Sequence, residues 1–257
     1  MHDSFVAILS SGSSGNSALV MSKDSGVLID AGISCRELER RMALFGAEPT
    51  QVEAVVLTHE HTDHVRSAKR FGDEYGVPVY GTRGTLALTP LDGVETVTFP
   101  AGKTFTIGSL HLKPFKVRHL AADPVAFSIN VGSKRVSIAS DLGCITASVV
   151  DEMSDSDLLM IEANYDEKML LGGSYPEFLK RAIRGDNGHL SNDDAGRLSA
   201  KTATSRTKKV VLVHLSNENN TPERARETVE QSLRQSKLQT EVKVTEHGAA
   251  NGPFALS

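Results

Sequence analysis

The 257-residue sequence contains two cysteines, no tryptophan and no long apolar run. Because Cys35 and Cys144 cannot form the disulfide framework typical of small secreted domains, we expect a reducing, cytoplasmic location. The longest apolar stretches, Val52–Leu57 and Val210–Val213, are far shorter than the roughly 20 residues of a membrane-spanning helix. The beginning of the chain also lacks the basic and apolar pattern of a secretory signal. We therefore expect no association with a membrane.

An excess of positive charge is also absent. The formal net charge is −4 and the sequence pI is about 6.1, which excludes a protein that binds nucleic acid through its overall charge. Any nucleic-acid function would depend on a local site. Two groups of basic residues could contact a phosphate backbone: the first is Arg36, Arg40 and Arg41, and the second is Arg66, Lys69 and Arg70. The alternative is that each group forms the solvated face of a helix, and the sequence leaves both alternatives open.

No linker rich in proline or glycine divides the chain. Short apolar runs typical of strands alternate with amphipathic helical segments, and Ser34 with Glu37 three residues later predicts the beginning of the first helix. Residues 65–75 are predicted to form another helix, and Glu241–Thr245 is predicted to be the last strand. We predict a single α/β domain over residues 1–257, with two sheets and helices on their outer faces.

The densest group of potential metal ligands follows an apolar strand predicted at Val52–Thr58. His59, His61, Asp63 and His64 combine imidazoles with a carboxylate, which is the donor set that borderline divalent metals prefer. In a loop at the end of a strand, alternate side chains can face different ions. We therefore predict that the four residues serve two metal sites, the alternative being a solvated polar loop.

Four ligands cannot complete two sites, and three further residues lie at the carboxyl ends of predicted strands. These residues are His119, Asp141 and His214. Each alone is an ordinary loop residue, but together they would complete two sites and leave room for a bridging water. A carboxylate such as Asp141 could bridge two cations.

The order and spacing of these residues resemble the ligand series of the metallo-β-lactamase fold, over essentially the whole chain. This resemblance implies a four-layer αβ/βα sandwich, in which two mixed sheets are flanked by helices and the site lies at one edge. It implies that one divalent ion binds His59, His61 and His119, and that a second binds Asp63, His64 and His214. Asp141 would bridge them. The donor set suits Zn²⁺ or Mn²⁺.

The tetrapeptide His-Leu-Ser-Asn occurs twice, at His189 and at His214, and only one copy should supply the last ligand. His214 follows a hydrophobic strand, where a ligand is held rigidly, whereas His189 follows a polar turn and begins a helix. We therefore assign His214 to the metal and His189 to the substrate. His247 is the alternative ligand, and His2 and His111 are interpreted as structural or surface residues.

Further motifs narrow the resemblance. Glu162 and His189 resemble the Glu and His pair of the phosphodiesterase branch, and their separation of only 27 positions excludes an inserted β-CASP domain. Asp141 stands where one class of true lactamases has Cys, which argues against antibiotic hydrolysis. Ser11–Ser17, Gly188–Asn192 and the segment 214–223 resemble the compact YycJ/WalJ exonuclease subfamily.

That subfamily resemblance implies a cytoplasmic 5′→3′ DNA exonuclease with a role in DNA repair, whose substrate is DNA with a 5′ end. A hydroxide between two metal ions would attack phosphorus. Asp63 would orient this nucleophile, and His189, aligned by Glu162, would protonate the leaving oxygen. The alternatives are a hydrolase of the same fold acting on a thioester, lactone or cyclic nucleotide, and a non-catalytic metal-binding protein.

A serine- and glycine-rich stretch, Ser10–Ser17, joins the first two predicted strands. Glycines allow a sharp turn that exposes N–H groups, and small hydroxyls add donors, so the stretch is suited to cradle a phosphate. The alternative is a tight turn without a ligand. The candidate substrate-binding residues are Ser13, Ser14, Gly15 and Asn16, together with Ser191 and Asn217.

Overall fold

The computed structural model describes residues 4–23 and 25–256, so His2 lies outside the described residues. Within these ranges two mixed sheets of seven strands pack face to face, with helices outside. No helix within the same ranges is long and apolar enough to cross a membrane. The architecture is the predicted four-layer sandwich.

The first sheet has the strand order β14-β1-β2-β3-β4-β5-β6. Strands β1 to β3 are antiparallel neighbours, whereas β3, β4, β5 and β6 run parallel. Its strands are β1 (Ser4–Ser10), β2 (Ser17–Ser22), β3 (Ser25–Ile29), β4 (Val52–Val56), β5 (Val79–Gly81), β6 (Thr96–Thr98) and β14 (Asn251–Ala255).

The second sheet has the order β13-β12-β11-β10-β9-β8-β7. Strands β10 to β13 are parallel, and β7 to β10 form an antiparallel meander. Its strands are β7 (Phe105–Ile107), β8 (Leu110–Lys116), β9 (Val125–Val131), β10 (Lys134–Ala139), β11 (Leu158–Glu162), β12 (Lys209–Val213) and β13 (Glu241–Val244).

Apolar side chains on both faces of the strands account for the layers. In β1, Val6 and Ile8 face the second sheet, while Phe5, Ala7 and Leu9 face the helices, as the two-residue period of a strand requires. The helices are α1 (Cys35–Leu44), α2 (Thr62–Val65), α3 (Ala68–Tyr75), α4 (Arg83–Leu88), α5 (Ala147–Met153), α6 (Glu167–Gly172), α7 (Glu177–Arg184), α8 (Asn192–Thr202) and α9 (Pro222–Gln235).

Two predictions about the elements were wrong. The predicted helix over residues 65–75 is interrupted, since α2 ends at Val65 and α3 begins at Ala68. The Ser67 N–H donates to the carbonyl of Ala31, so the helical hydrogen bonds do not continue from α2 into α3. Residues 241–245 do not contain the last strand, since β14 follows and pairs with β1. The sequence of β14 includes Gly252 and Pro253, which weaken a strand pattern.

Candidate metal centre and active site

The predicted ligands converge at one edge of the sandwich, at the carboxyl ends of strands in both sheets. Asp30, Asp141 and His214 come one or two residues after β3, β10 and β12, and each has a positive φ, of 61°, 53° and 58° respectively. Such backbone conformations typically cost about 1–3 kcal/mol each and concentrate at functional sites. Here they turn the chain sharply at the edge where the ligands meet.

Three imidazoles form the first cluster, with ligand atoms within 4.8 Å of one another: His59, His61 and His119. His61 Nε2–H donates to the carbonyl of Leu120 (3.0 Å), and His119 Nδ1–H donates to that of Gly188 (3.1 Å). These bonds leave His61 Nδ1 and His119 Nε2, which are 3.3 Å apart, without protons.

The third imidazole of the cluster, His59, is oriented through Thr58. The Thr58 hydroxyl donates to Asp30 Oδ2 (2.8 Å), so it must accept from His59 Nδ1–H (2.9 Å). His59 Nε2 is therefore also a lone-pair atom, and it lies 3.0 Å from His61 Nδ1. Three converging lone pairs repel one another unless a cation lies among them, so this donor set fits a metal ion.

The second cluster contains Asp63, His64 and His214, whose ligand atoms also lie within 4.8 Å of one another. Buried Asp30 accepts from His64 Nδ1–H (2.7 Å), which leaves Nε2 of that ring facing the other ligands. A carboxylate behind a ligating histidine fixes both its tautomer and its ring orientation. Sequence reasoning missed this role of Asp30, since a single Asp after an apolar strand forms no local pattern.

Asp141 lies between the two clusters. Its carboxylate is 3.1 Å from His64 Nε2 and 3.6 Å from His119 Nε2. The contact with His64 is made by Asp141 Oδ2, which is buried and is otherwise without a hydrogen-bond partner within the described residues. A buried carboxylate is costly unless it is paired. The position and chemistry of this atom fit a carboxylate that bridges two cations.

The electrostatics of the ligands agree with this arrangement. Burial lowers the pKa of His59 and of His119, so both rings are neutral donors. Burial also disfavours a charge on His64, but the carboxylates of Asp30 and Asp141 outweigh it and raise the pKa of His64 well above its ordinary value. A cation beside His64 Nε2 would replace the proton that these carboxylates attract.

Glu162 joins the two copies of His-Leu-Ser-Asn. Its Oε1 accepts from His189 Nδ1–H and from His214 Nδ1–H, each at 2.7 Å, and its Oε2 accepts from the N–H groups of Leu142 and Leu190. Burial opposes the charge on Glu162, but His189 and the hydrogen bonds outweigh burial and lower the pKa of Glu162 to about 2. Glu162 likewise raises the pKa of His189 to about 9, against the effect of burial.

The serine-rich loop lies beside this centre. Buried Asn16 donates from Nδ2 to Asp63 Oδ2 (3.1 Å), and the same Nδ2 lies 3.0 Å from His64 Nε2, so Asn16 contacts candidate ligands directly. Ser14 is exposed, and its hydroxyl lies 3.2 Å from His247 Nε2. The His247 ring packs on Gly12, where a Cβ would lie 2.3 Å from Nδ1. His247 belongs to none of the metal-binding groups in the described residues.

The remaining candidates lie farther from the chemistry. Ser191 is the N-cap of α8 and accepts from the Asp194 N–H. Asn217 is exposed in the loop after β12, and exposed His111 contacts the Thr106 hydroxyl. Among the basic residues, four form ion pairs along their own helices: Arg40 and Arg41 with Glu37, Lys69 with Asp73, and Arg70 with Glu74.

A cleft of about 330 Å³ opens onto the centre. Its lining includes Asp63, Asp141, His189 and His214, together with the loop residue Ser13. Its volume is at the lower end of the roughly 300–1,000 Å³ typical of small-ligand sites. The site therefore combines two groups of metal-type ligands with an ion-paired histidine in one accessible cavity.

Comparison with known proteins agrees with this geometry. Residues 26–215 match the family model described as "Beta-lactamase superfamily domain". The chain is 34% identical to the exodeoxyribonuclease WalJ of Streptococcus pneumoniae over 90% of this chain and 89% of that protein. It is 31% identical to the exodeoxyribonuclease YycJ of Bacillus anthracis over 88% of both proteins.

Solved structures support the fold. The metallo-β-lactamase fold protein YhfI from Bacillus subtilis superposes with a TM-score of 0.74 at 21% identity, covering 98% of this chain and 99% of that one. The family match spans most of the chain, including His59–His64, Asp141 and His214. The protein therefore belongs to the beta-lactamase superfamily and is a hydrolase of the metallo-β-lactamase fold.

Proposed function

We propose that the protein is a dinuclear-metal phosphodiesterase that hydrolyses DNA from a 5′ end and serves DNA repair. The observation that carries this proposal is the position of His189 in the cleft beside Asp141, 3.7 Å away, with its Nδ1–H on buried Glu162. A phosphodiester needs an acid for its leaving oxygen as well as charge neutralisation. The naming of two relatives as exodeoxyribonucleases supports DNA as the substrate.

One ion, Zn²⁺ or Mn²⁺, would be held by His59, His61 and His119, and a second by Asp63, His64 and His214, with Asp141 shared. When bound, the ions would supply Lewis acidity toward the phosphoryl oxygens and the attacking water. Lone pairs already converge in the first group, so little reorganisation accompanies binding there. We also propose that residues 1–257 form a single catalytic domain and that the protein acts in the cytoplasm.

The residues around the ions would protonate the leaving oxygen, orient the nucleophile and bind the substrate. Glu162 favours the protonated form of His189, because it raises the pKa of His189 to about 9 against the effect of burial. Its Nδ1–H is engaged by Glu162, so Nε2–H is the proton available to the leaving oxygen. The Asp63 carboxylate, steadied by Asn16, would orient the nucleophile, and the exposed hydroxyls of Ser13 and Ser14 would bind a phosphate of the strand.

The direct test is to incubate the metal-loaded protein with 5′-phosphorylated DNA and RNA of the same sequence, with and without a chelator. End-dependent, chelator-sensitive loss of DNA supports the proposal. Turnover of a generic thioester without cleavage of either nucleic acid would contradict it and favour a small-molecule hydrolase.

The variant His189→Ala tests whether His189 acts as the general acid or as a metal ligand. We expect turnover to fall by about 10²–10⁴-fold, the usual contribution of a positioned acid, while metal content stays at the wild-type level. His111→Ala is the matched control, because His111 is exposed and distant from the cleft ligands. Loss of a metal equivalent from the His189→Ala protein would show that His189 is a ligand instead.

A further inference from the structure

Part of the cleft lining is apolar and forms what we call the apolar wall, although the same cleft is lined by metal-type ligands. Leu179, Ala182 and Ile183 of α7 form this wall together with Leu120 from the loop after β8. Leu120 is 78% exposed, which makes it a large apolar side chain left open to solvent at the cleft. Exposed apolar surface at the rim of a polar site is typical of a contact with a ligand.

The wall is rigidly joined to the catalytic groups. Leu120 donates its N–H to Asn187 (3.1 Å), and its carbonyl accepts from His61 Nε2–H (3.0 Å). On the other side, the Ile183 carbonyl accepts from the His189 N–H (2.9 Å). The backbone at Leu120 is therefore hydrogen-bonded to a candidate ligand, and the backbone at Ile183 is hydrogen-bonded to the proposed acid.

We propose that this wall, formed by Leu120, Leu179 and Ile183, is the subsite for the nucleobase of the nucleotide next to the scissile phosphate. The inference rests on the proposed function, because a phosphodiester held at the metal centre carries its sugar and base to an adjacent surface. A flat base packs on aliphatic side chains through its face, which tolerates any sequence.

The size of the cleft limits what the wall receives. A cavity of about 330 Å³ holds a ligand of small-molecule size, which matches one nucleotide and not a base pair. The terminal nucleotide must therefore be unpaired when it enters. The subsite accordingly favours single-stranded or frayed ends over blunt duplex ends.

The test uses two single-stranded oligonucleotides that differ only at the end from which the wild-type protein degrades DNA: one has a normal terminal nucleotide and the other an abasic tetrahydrofuran residue. Leu120→Ser removes the most exposed part of the wall, and Leu44→Ser is the matched control, since Leu44 is 61% exposed on α1 and outside the cleft. Circular dichroism checks the fold of both variants.

We expect Leu120→Ser to lower kcat/KM on the normal end by about tenfold, because the variant loses apolar surface that the base would cover. Its kcat/KM on the abasic end should equal that of the wild type, and Leu44→Ser should change neither value. A gain-of-contact variant, Leu120→Trp, should lower KM on the normal end only.

Three results would overturn the subsite, and the first two are equal degradation of both ends by the wild type and equal slowing of both ends by Leu120→Ser. Impaired thioester turnover in Leu120→Ser would assign the wall to an acyl or aryl group instead, and would also overturn it. Failure of the wild type to cleave any phosphodiester would contradict the proposed function, which the abasic comparison alone does not test.

Discussion

Replacing Asp30 with Asn should weaken both metal sites, although Asp30 is not itself a candidate ligand. Its Oδ1 accepts from the Thr58 N–H, and its Oδ2 accepts from the Thr58 hydroxyl and from His64 Nδ1–H. Asn is nearly isosteric and tolerates the positive φ at this position. Since one oxygen must still accept from the Thr58 N–H, the new amide NH₂ takes the place of Oδ2.

This exchange reverses two hydrogen bonds at once. The NH₂ group would donate to His64 Nδ1, which moves the ring proton to Nε2, and it would donate to the Thr58 hydroxyl. That hydroxyl would then donate to His59 Nδ1, which also moves the proton of His59 to Nε2. Both nitrogens that face the metal positions would lose their lone pairs.

Outer partners of metal ligands typically contribute 10–100-fold in metal affinity, or about 1.4–2.7 kcal/mol. We expect a loss of this size at each site of Asp30→Asn, measured by competition with a chromophoric chelator. The metal-free variant should also lose about 1.5–3 kcal/mol of unfolding free energy, because a buried charged acceptor is removed. Chemical denaturation in excess chelator measures this second loss.

A matched variant, Thr58→Val, distinguishes the direct effect of Asp30 on His64 from its effect on His59 through the Thr58 hydroxyl. Thr58→Val removes the link to His59 but leaves the bond between Asp30 and His64, so only the first site should weaken. If Asp30→Asn binds two equivalents of metal with affinities within about twofold of the wild-type values, the tautomer argument is refuted. If Asp30→Asn weakens only one site, the claim that Asp30 sets the tautomer of His59 through Thr58 is refuted.

Four further changes test three positions around the centre and Asp157, which lies at the amino-terminal end of β11. Gly32→Ala should destabilise the protein by about 3 kcal/mol in urea denaturation and lower metal content, because its Cβ would lie 1.7 Å from the Asp63 carbonyl oxygen. Ser14→Ala should raise KM on DNA at unchanged metal content, whereas Asn16→Ala should lower metal content itself, as atomic absorption would report. Asp157→Asn should cost about 1–3 kcal/mol at neutral pH. Burial opposes the charge on Asp157, but hydrogen bonds from Arg206 and the Arg135 N–H outweigh it and lower its pKa. The wild-type advantage should therefore persist above pH 5 and shrink below about pH 4 in pH-dependent unfolding.

Local patterns predicted much of the framework. The strand predicted at Val52–Thr58 is β4 (Val52–Val56), and the helix predicted to begin at Ser34 is α1, whose N-cap is Ser34. The cluster from His59 to His64 was recognisable because four ligand-type residues lie within six positions. Its partners were predictable as a set because strand ends of parallel sheets meet at one edge.

Contacts between distant parts of the chain could not be predicted in this way. Asp30 orients His64 across 34 positions, and Asn16 reaches His64 across 48. Neither residue belongs to a motif with the ligands that it supports. His247 approaches Ser14 across 233 positions, after a last strand that the sequence pattern did not reveal. Supporting residues of this kind are selected by the fold and not by a local spacing.

The two copies of His-Leu-Ser-Asn show how one tetrapeptide can serve two roles on the same carboxylate. Both histidines donate Nδ1–H to Glu162, but their side chains differ in exposure, 22% for His189 and 5% for His214. Only His214 also lies within 4.8 Å of Asp63 and His64. A ligand is best buried among other donors, whereas an acid must exchange its proton with substrate and water. Burial and neighbours, which the tetrapeptide does not encode, therefore support the proposal that His214 binds metal and that His189 protonates the leaving oxygen.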